Sequence, residues 1–309
     1  MNRISIIVPC FNEERVIPLF YHEIYHVLAE INIQYEILFI DDGSTDNTLN
    51  VIKSFAESNQ SVFYISFSRN FGKEAAVFAG MKHSVGDYIV IMDVDLQDPP
   101  SLLPSMLDII VTQGFDCVAT RRTNRIGETP IRSFFARLFY KLINKLSDTK
   151  IIDGARDYRM MTRQMVDSIL ELNEYHRFSK GIFGWVGFQT KFIDYQNIER
   201  VGGETKWSFW KLFIYAVDGI LSFSTLPLRL ASIFGVIFSM IALLLLIGII
   251  LRRLIFGDPV AGWASTISVI ILIGGLQMVF LGIIGEYIAR TYMETKSRPK
   301  YFIKNKNIK

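Results

Sequence analysis

Cysteine is scarce: Cys10 and Cys117 are two thiols in 309 residues, with no spacing suited to a metal. That argues against a disulfide framework or a cysteine-ligated zinc module, and leaves two isolated thiols, reduced and structural. Phosphate-cradling glycine loops are absent too, since neither G-x-G-x-x-G nor a Walker sequence occurs. Charge of one sign is also lacking. With 33 basic and 30 acidic residues the net charge is +3, too small to point to nucleic acid. The N-terminus carries only a short apolar run, Ile4 to Val8, before Pro9, so no signal peptide is expected. No internal repeat or low-complexity segment is visible.

Apolar residues, in contrast, are abundant. They make up 50% of the chain, mean hydropathy is +0.28, and the excess is concentrated near the C-terminus. Leu230 to Leu251 is free of charge for 22 residues, and Ala264 to Gly285 supplies 22 more with Gln277 as the only amide. As helices these would each extend roughly 33 Å, enough for a bilayer core. The expectation is a membrane hairpin. Arg252, Arg253 and Asp258 lie in its connection, whereas Arg290, Lys296, Arg298, Lys300, Lys304, Lys306 and Lys309 follow it. The basic tail, residues 286–309, is therefore expected in the cytoplasm facing an anionic membrane surface, and two spans put the N-terminal domain on the same side. The connection arginines argue mildly the other way, but they can snorkel, and Trp263 can anchor the second span. Gly274, Gly275 and Gly282 permit close helix packing, compatible with a homo-oligomer.

Ahead of the hairpin, short β-branched or aromatic runs alternate with longer stretches near helical spacing. Ile4–Val8, Tyr35–Ile40, Val62–Phe67, Tyr88–Met92 and Asp116–Ala119 read as strands; Val16–Glu30, Thr48–Ser58 and Lys73–Ser84 read as helices. This pattern implies an α/β fold, a mostly parallel Rossmann-like sheet covered on both faces, with ligands at the carboxyl ends of its strands. Polar residues gather in three loops placed there: Pro9 to Glu13, Asp41 to Thr48, and Asp93 to Pro100. In the second, Gly43 permits a tight turn, Thr45 or Asp46 can cap the next helix, and Asp42 is left to accept hydrogen bonds from a ligand.

The third loop is the most informative. An apolar strand there ends in Asp93, Asp95, Gln97 and Asp98, followed by Pro99 and Pro100. If strand geometry persists, Asp93 and Asp95 share one side and Gln97 adds a neutral oxygen. Such oxygen donors suit Mg2+ or Mn2+ with open positions for phosphate oxygens, which predicts a diphosphate substrate. Taken alone, Asp-x-Asp is equally a pair of solvated turn residues.

Taken together, Val8–Glu13, the Asp41 loop, Arg69-Asn70-Phe71-Gly72-Lys73 and Asp93–Pro100 resemble family 2 glycosyltransferases of the GT-A fold. Gly154–Arg159, Gly203–Trp207, Phe223–Arg229 and Gly285–Ile288 resemble the polyisoprenyl-phosphate glycosyltransferases, of bactoprenol glucosyltransferase type. The resemblance implies a GT-A domain over 1–206, a juxtamembrane interfacial segment over 207–228, the spans within 229–285, and the tail. It implies that Pro9, Phe11, Glu13, Asp42, Asp93 and Val94 surround the nucleotide, and that Asp93, Asp95 and Gln97 bind the metal. Arg122, Arg132, Arg200 and Lys206 would hold donor and acceptor phosphates, where arginine forks match phosphate oxygens. Asp157 is the catalytic candidate, as a base or as an orienting group. Ala136 departs from the serine usual in related dolichol-phosphate mannose synthases.

The implied reaction is inverting transfer of a hexose, glucose from a UDP-sugar, to undecaprenyl phosphate at the cytoplasmic face of the cell membrane. A phosphate acceptor is largely dianionic at neutral pH and needs no strong base. Three alternatives stay open: a processive synthase, which would need a Gln-x-x-Arg-Trp motif not found here, a non-catalytic membrane subunit, and transfer of another sugar. Aromatic crowding from Trp207 to Ser224 suggests a segment lying in the headgroup region.

Overall fold

In the computed structural model the described residues are 3–31, 33–123, 144, 152, 154–175, 177–196, 226–256 and 262–308. Two compact units emerge, Met1–Gly219 together with Arg298–Lys309, and Ile220–Ser297. The expected sites Arg132, Arg200 and Lys206, the position Ala136 and the aromatic stretch 207–225 lie outside the described residues.

The first unit is built on strands β1 (Arg3–Cys10), β2 (Gln34–Asp41), β3 (Val62–Phe67), β4 (Tyr88–Ile91), β5 (Cys117–Arg122), β6 (Ala155–Thr162), β7 (Thr190–Tyr195) and β8 (Ile303–Lys306). Their order across one sheet is β7-β5-β6-β4-β1-β2-β3-β8. The block β4-β1-β2-β3 is parallel throughout, as the alternation of strand-like and helix-like runs predicts. β6 enters antiparallel between β4 and β5, and β7 lies parallel to β5. The helices are α1 (Ile17–Glu30), α2 (Thr48–Ser58), α3 (Lys73–His83), α4 (Leu103–Gln113), α5 (Arg163–Glu171) and α6 (Ser179–Trp185).

Both faces of the central strands are buried, which is why they read as continuous apolar runs rather than alternating ones. Ile4, Ile6 and Val8 of β1 join Ile37, Phe39 and Val90 under Phe20 and Ile24 of α1 and Met106 and Ile110 of α4. On the opposite face α3 packs on β1 and β2. Every residue of α3 from Ala75 to Met81 is buried, and a helix apolar all round belongs inside a fold. Its approach to β1 is close enough that a Cβ on Gly80 would lie 2.2 Å from Ile7 Cγ2. α3 therefore has little freedom to shift, and it delivers its first residue, Lys73, to the carboxyl edge of the sheet.

Residues 286–295 of the tail continue a helix, and Arg298–Lys309 belongs to the first unit. β8 pairs antiparallel with β3 and covers what would otherwise be an open sheet edge. Tyr301 stacks on Phe67 with centroids 4.8 Å apart, and the Lys300 ammonium donates to the Asn173 carbonyl at 3.1 Å.

The second unit contains α7 (Leu226–Phe256) and α8 (Trp263–Thr295), which contact each other. Both expected spans fall inside these helices. Ile233, Leu244, Ile270, Leu272 and Met278 among others expose large apolar side chains, a surface that calls for an apolar environment. Among the described residues, one stretch, Leu272–Thr295, is long and apolar enough to cross a membrane.

Gly80→Ala is expected to lower stability by about 1–3 kcal/mol through overpacking against Ile7. Chemical denaturation should record that loss, with Ile7→Ala in the same chain restoring part of it.

Candidate active site

Loops after β1, β2 and β3 are laced together before any ligand is considered. Asn12, in a left-handed conformation at φ 55°, accepts from the Thr45 amide at 2.9 Å, and its own amide donates to Ser44 Oγ. Of Thr45 and Asp46, the two residues expected to cap α2, Asp46 accepts from the amide of Thr48, the first residue of that helix, from one position before the N-cap residue Asn47. Gly43 sits at φ 69°, where a Cβ would meet the Arg69 backbone at 2.4 Å. The turn thus needs glycine twice over, for its dihedral and for the approach of the β3 loop.

The Asp41–Asp42 doublet has a different division of labour from the one expected. Asp41 is buried and accepts from Ser66 Oγ at 2.7 Å and from the Ser44 amide at 3.0 Å. Asp42 is 4% exposed, and its two oxygens accept from the amides of Phe71 at 2.6 Å and Gly72 at 2.9 Å. Asp42 is therefore not left over for a ligand. Its carboxylate satisfies the donors that lead into α3, groups that a helix start leaves without partners. Burial pushes its pKa up, and the two amides pull it back only in part.

A cleft of about 430 Å³ opens beside these loops, lined by Phe11, Asp41, Ser44, Ser68, Arg69 and Lys304 among others. Of the residues expected around a nucleotide, Phe11 lines it. Pro9 belongs to β1, and Glu13 starts α1 by accepting from the amides of Val16 and Ile17 through its carbonyl. Val94 is buried.

β4 ends at Ile91, so Asp93 and Asp95 stand in a turn and the strand alternation invoked for them does not apply. Leu96 at φ 57° folds the loop back, and the Gln97 amide donates to Asp95 Oδ1 at 3.2 Å. Antiparallel β6 brings up the remaining acid. Ile91 pairs with Arg159, and Asp93, two residues after Ile91, and Asp157, two residues before Arg159, follow toward the same edge. Between them lies Lys73: its ammonium is 2.7 Å from Asp93 and 2.6 Å from Asp157. Burial alone would raise the Asp157 pKa, but the Lys73 cation, helped by Lys180 and Arg159, holds it well below the carboxylate range. Burial likewise works against the Lys73 charge, and the two carboxylates more than offset it, so Lys73 stays protonated. Glu74, next in the helix, is half-buried and accepts from the Ser179 hydroxyl and amide, tying α3 to α6.

Behind the turn, Asp98 is 1% exposed and accepts from Tyr195 and from Arg156 Nε at 3.1 Å. Arg156 also donates to Gln97 Oε1 at 3.3 Å. Gln97 Oε1, one of the oxygens expected at a metal, is thus shared with a guanidinium, just as both Asp93 oxygens face the Lys73 ammonium. Among the described residues no group of three His, Cys, Asp or Glu could hold a metal by itself. Two carboxylates fit Mg2+ or Mn2+ when substrate oxygens supply the remaining positions. At the end of β5, Arg121 pairs bidentately with Asp194 at 2.6 and 2.8 Å. Arg122, the expected phosphate-binding position, is the last residue of β5, and its amide donates to the Gly154 carbonyl at 3.1 Å.

Lys73 and Arg156 were not singled out from the sequence. Both stand inside quoted segments, but a lysine after a glycine and an arginine beside an acid carry no spacing signal; their partners come from elsewhere in the chain.

The chain belongs to glycosyl transferase family 2, matching that family over residues 5–170. It is 43% identical over 302 residues to the prophage bactoprenol glucosyl transferase homolog of Escherichia coli (strain K12), covering 98% of each chain. With the bactoprenol glucosyl transferase of Shigella phage SfV it shares 43% over 307 residues, 99% of this chain and all of that one. A solved structure, glucosyl-3-phosphoglycerate synthase of Mycobacterium tuberculosis, overlaps with a TM-score of 0.48 at 17% identity, over 71% of this chain and 78% of that one.

Because Asp157 titrates below its unfolded value, its pairing adds stability above the ordinary carboxylate range, and this is withdrawn as pH falls through the native value. Carboxyl NMR on aspartate-labelled protein should find Asp157 ionised at pH 4. In Lys73→Met its titration should move up to or above the usual carboxylate range; an unmoved signal would mean that Lys73 does not set it.

Proposed function

We propose that this chain transfers glucose, with inversion, from UDP-glucose to undecaprenyl phosphate or a similar polyprenyl phosphate, yielding a lipid-phosphate-linked sugar for cell-surface glycans. The observation that carries this reading is the match over essentially the whole chain, spans and tail included, to relatives whose names specify glucosyl transfer to bactoprenol.

In this reading the donor nucleotide enters the Phe11–Arg69 cleft and its diphosphate lies toward Asp93 and Asp95. These two residues would hold Mg2+ or Mn2+, which supplies positive charge against the diphosphate when bound. A phosphate oxygen of the acceptor attacks the anomeric carbon, the bond to the leaving UDP breaks, and UDP keeps the electron pair. A dianionic acceptor has no proton to surrender. Asp157, held ionised by Lys73, is a weak proton acceptor at neutral pH, and this favours its orienting role over the base. Lys73 keeps Asp93 and Asp157 from repelling each other while two anionic substrates approach. Arg122, Arg132, Arg200 and Lys206 are assigned to the phosphates.

The reading also places α7 and α8 across the cell membrane as a hairpin, with the catalytic unit and both termini cytoplasmic and segment 207–225 at the headgroups. A homo-oligomer is part of it.

The test is transfer of label from a panel of UDP- and GDP-sugars to undecaprenyl phosphate in membranes supplied with Mg2+ or Mn2+. Glucosyl lipid made from UDP-glucose, and lost in Asp95→Ala, is expected; no lipid product from any donor would replace the reading by that of a non-catalytic subunit. In the same assay Asp157→Asn, which preserves hydrogen bonding without basicity, should retain activity within about tenfold of wild type, whereas general-base loss costs roughly 100- to 10,000-fold.

A further inference from the structure

The C-terminal strand does more than close a sheet edge. Along β8 the pairs with β3 run Lys306 to Ile65, Asn305 to Ser66, then Ile303 to Phe67, so Lys304 is passed over at a bulge. A bulge re-aims the side chain of its extra residue, and such irregularities concentrate beside active sites. Here the result is that Lys304 lines the cleft together with Phe11, Asp41, Ser68 and Arg69, residues from 235 to 293 positions earlier in the chain. The strand is well anchored on either side. Ser68 donates to the Phe302 carbonyl at 2.9 Å, Tyr64 donates to Asn307 Oδ1 at 2.6 Å, and Phe302 packs near Phe71 with centroids 6.1 Å apart. Lys300 and Arg177 both lie over the Phe78 ring of α3, at 4.6 and 4.8 Å. Lys304 itself is exposed.

Resting on the functional reading above, we infer that the C-terminal strand is a working part of the donor site, with Lys304 binding an oxygen of the nucleoside diphosphate from the side opposite the Asp93–Asp95 turn's strand. Among the described residues the cleft has one acid, Asp41, whose oxygens are already taken by Ser44 and Ser66, and two cations, Lys304 and Arg69, the latter also donating to the Asn70 carbonyl, so the excess of positive charge favours an anionic ligand rich in acceptors. Lys306, two residues on and paired opposite Ile65, is not among the cleft-lining residues.

Full-length protein in membranes or detergent should be titrated with UDP and with GDP, and assayed for donor and acceptor kinetics, as wild type, Lys304→Ala, Lys304→Glu and Lys306→Ala. Lys304→Ala is expected to weaken nucleoside diphosphate binding and raise donor KM about tenfold, the size of one charge-assisted hydrogen bond. Lys304→Glu should weaken it further, while acceptor KM, thermal midpoint and Lys306→Ala stay at wild-type values. Wild-type binding with no change in Lys304→Ala would overturn the role of the tail alone. A wild type that binds neither nucleotide would overturn the functional reading along with it.

Discussion

The contact on which the rest of the site depends is the ammonium of Lys73 held between the carboxylates of Asp93 and Asp157. Two acids brought to one place repel unless a cation separates them, and in a partly desolvated setting that repulsion is large. The cation must be held as firmly as the acids. α3 meets that need by burial from Ala75 to Met81, by the Gly80 contact with Ile7, and by Asp42, whose carboxylate fixes the amides just before Lys73. A loop-borne lysine would spend side-chain entropy to reach the same position; one at the start of an immobile helix has much of that cost removed.

Burial sorts the acids of the carboxyl edge into two kinds. Asp41, Asp42 and Asp98 are almost fully enclosed and are engaged by hydroxyls, amides or a guanidinium. They shape loops. Asp93 and Asp157 retain side-chain exposure of 27% and 29%, enough to meet a ligand while still feeling Lys73. The same residue type thus serves as scaffold or as site according to how much water reaches it, because an enclosed carboxylate must spend its lone pairs on the protein.

The tail shows the same economy at a larger scale. An edge strand on β3 is needed because β3 would otherwise present unpaired amides and carbonyls, and the segment after α8 supplies it. Its aromatic residues Tyr301 and Phe302 meet Phe67 and Phe71, which flank the loop that leads to Lys73. Chain termini are usually the least constrained part of a domain; here the terminus is bonded on both sides of the β3 loop.

Much of the fold was legible in sequence because it follows from periodicity. Val62–Phe67 and Thr48–Ser58 match their elements residue for residue, and β1, β2, β4 and the helices α1 and α3 differ only at their ends. Apolar runs, turn residues and uncharged stretches are local signals, and they determined the parallel α/β core, the two long helices and the acidic loops. Partnership was decided by tertiary structure alone. Asp42 was read as open to a ligand because nothing local reveals that the amides of Phe71 and Gly72 lie against it. Nor does the sequence around Gln97 reveal that Arg156, 59 residues away, shares its oxygen. Lys73, Asp93 and Asp157 meet from three separate segments, and the spacing between segments in sequence carries no information about distance in space. Burial and pairing are properties of the packed sheet, so they exist only once the chain has folded.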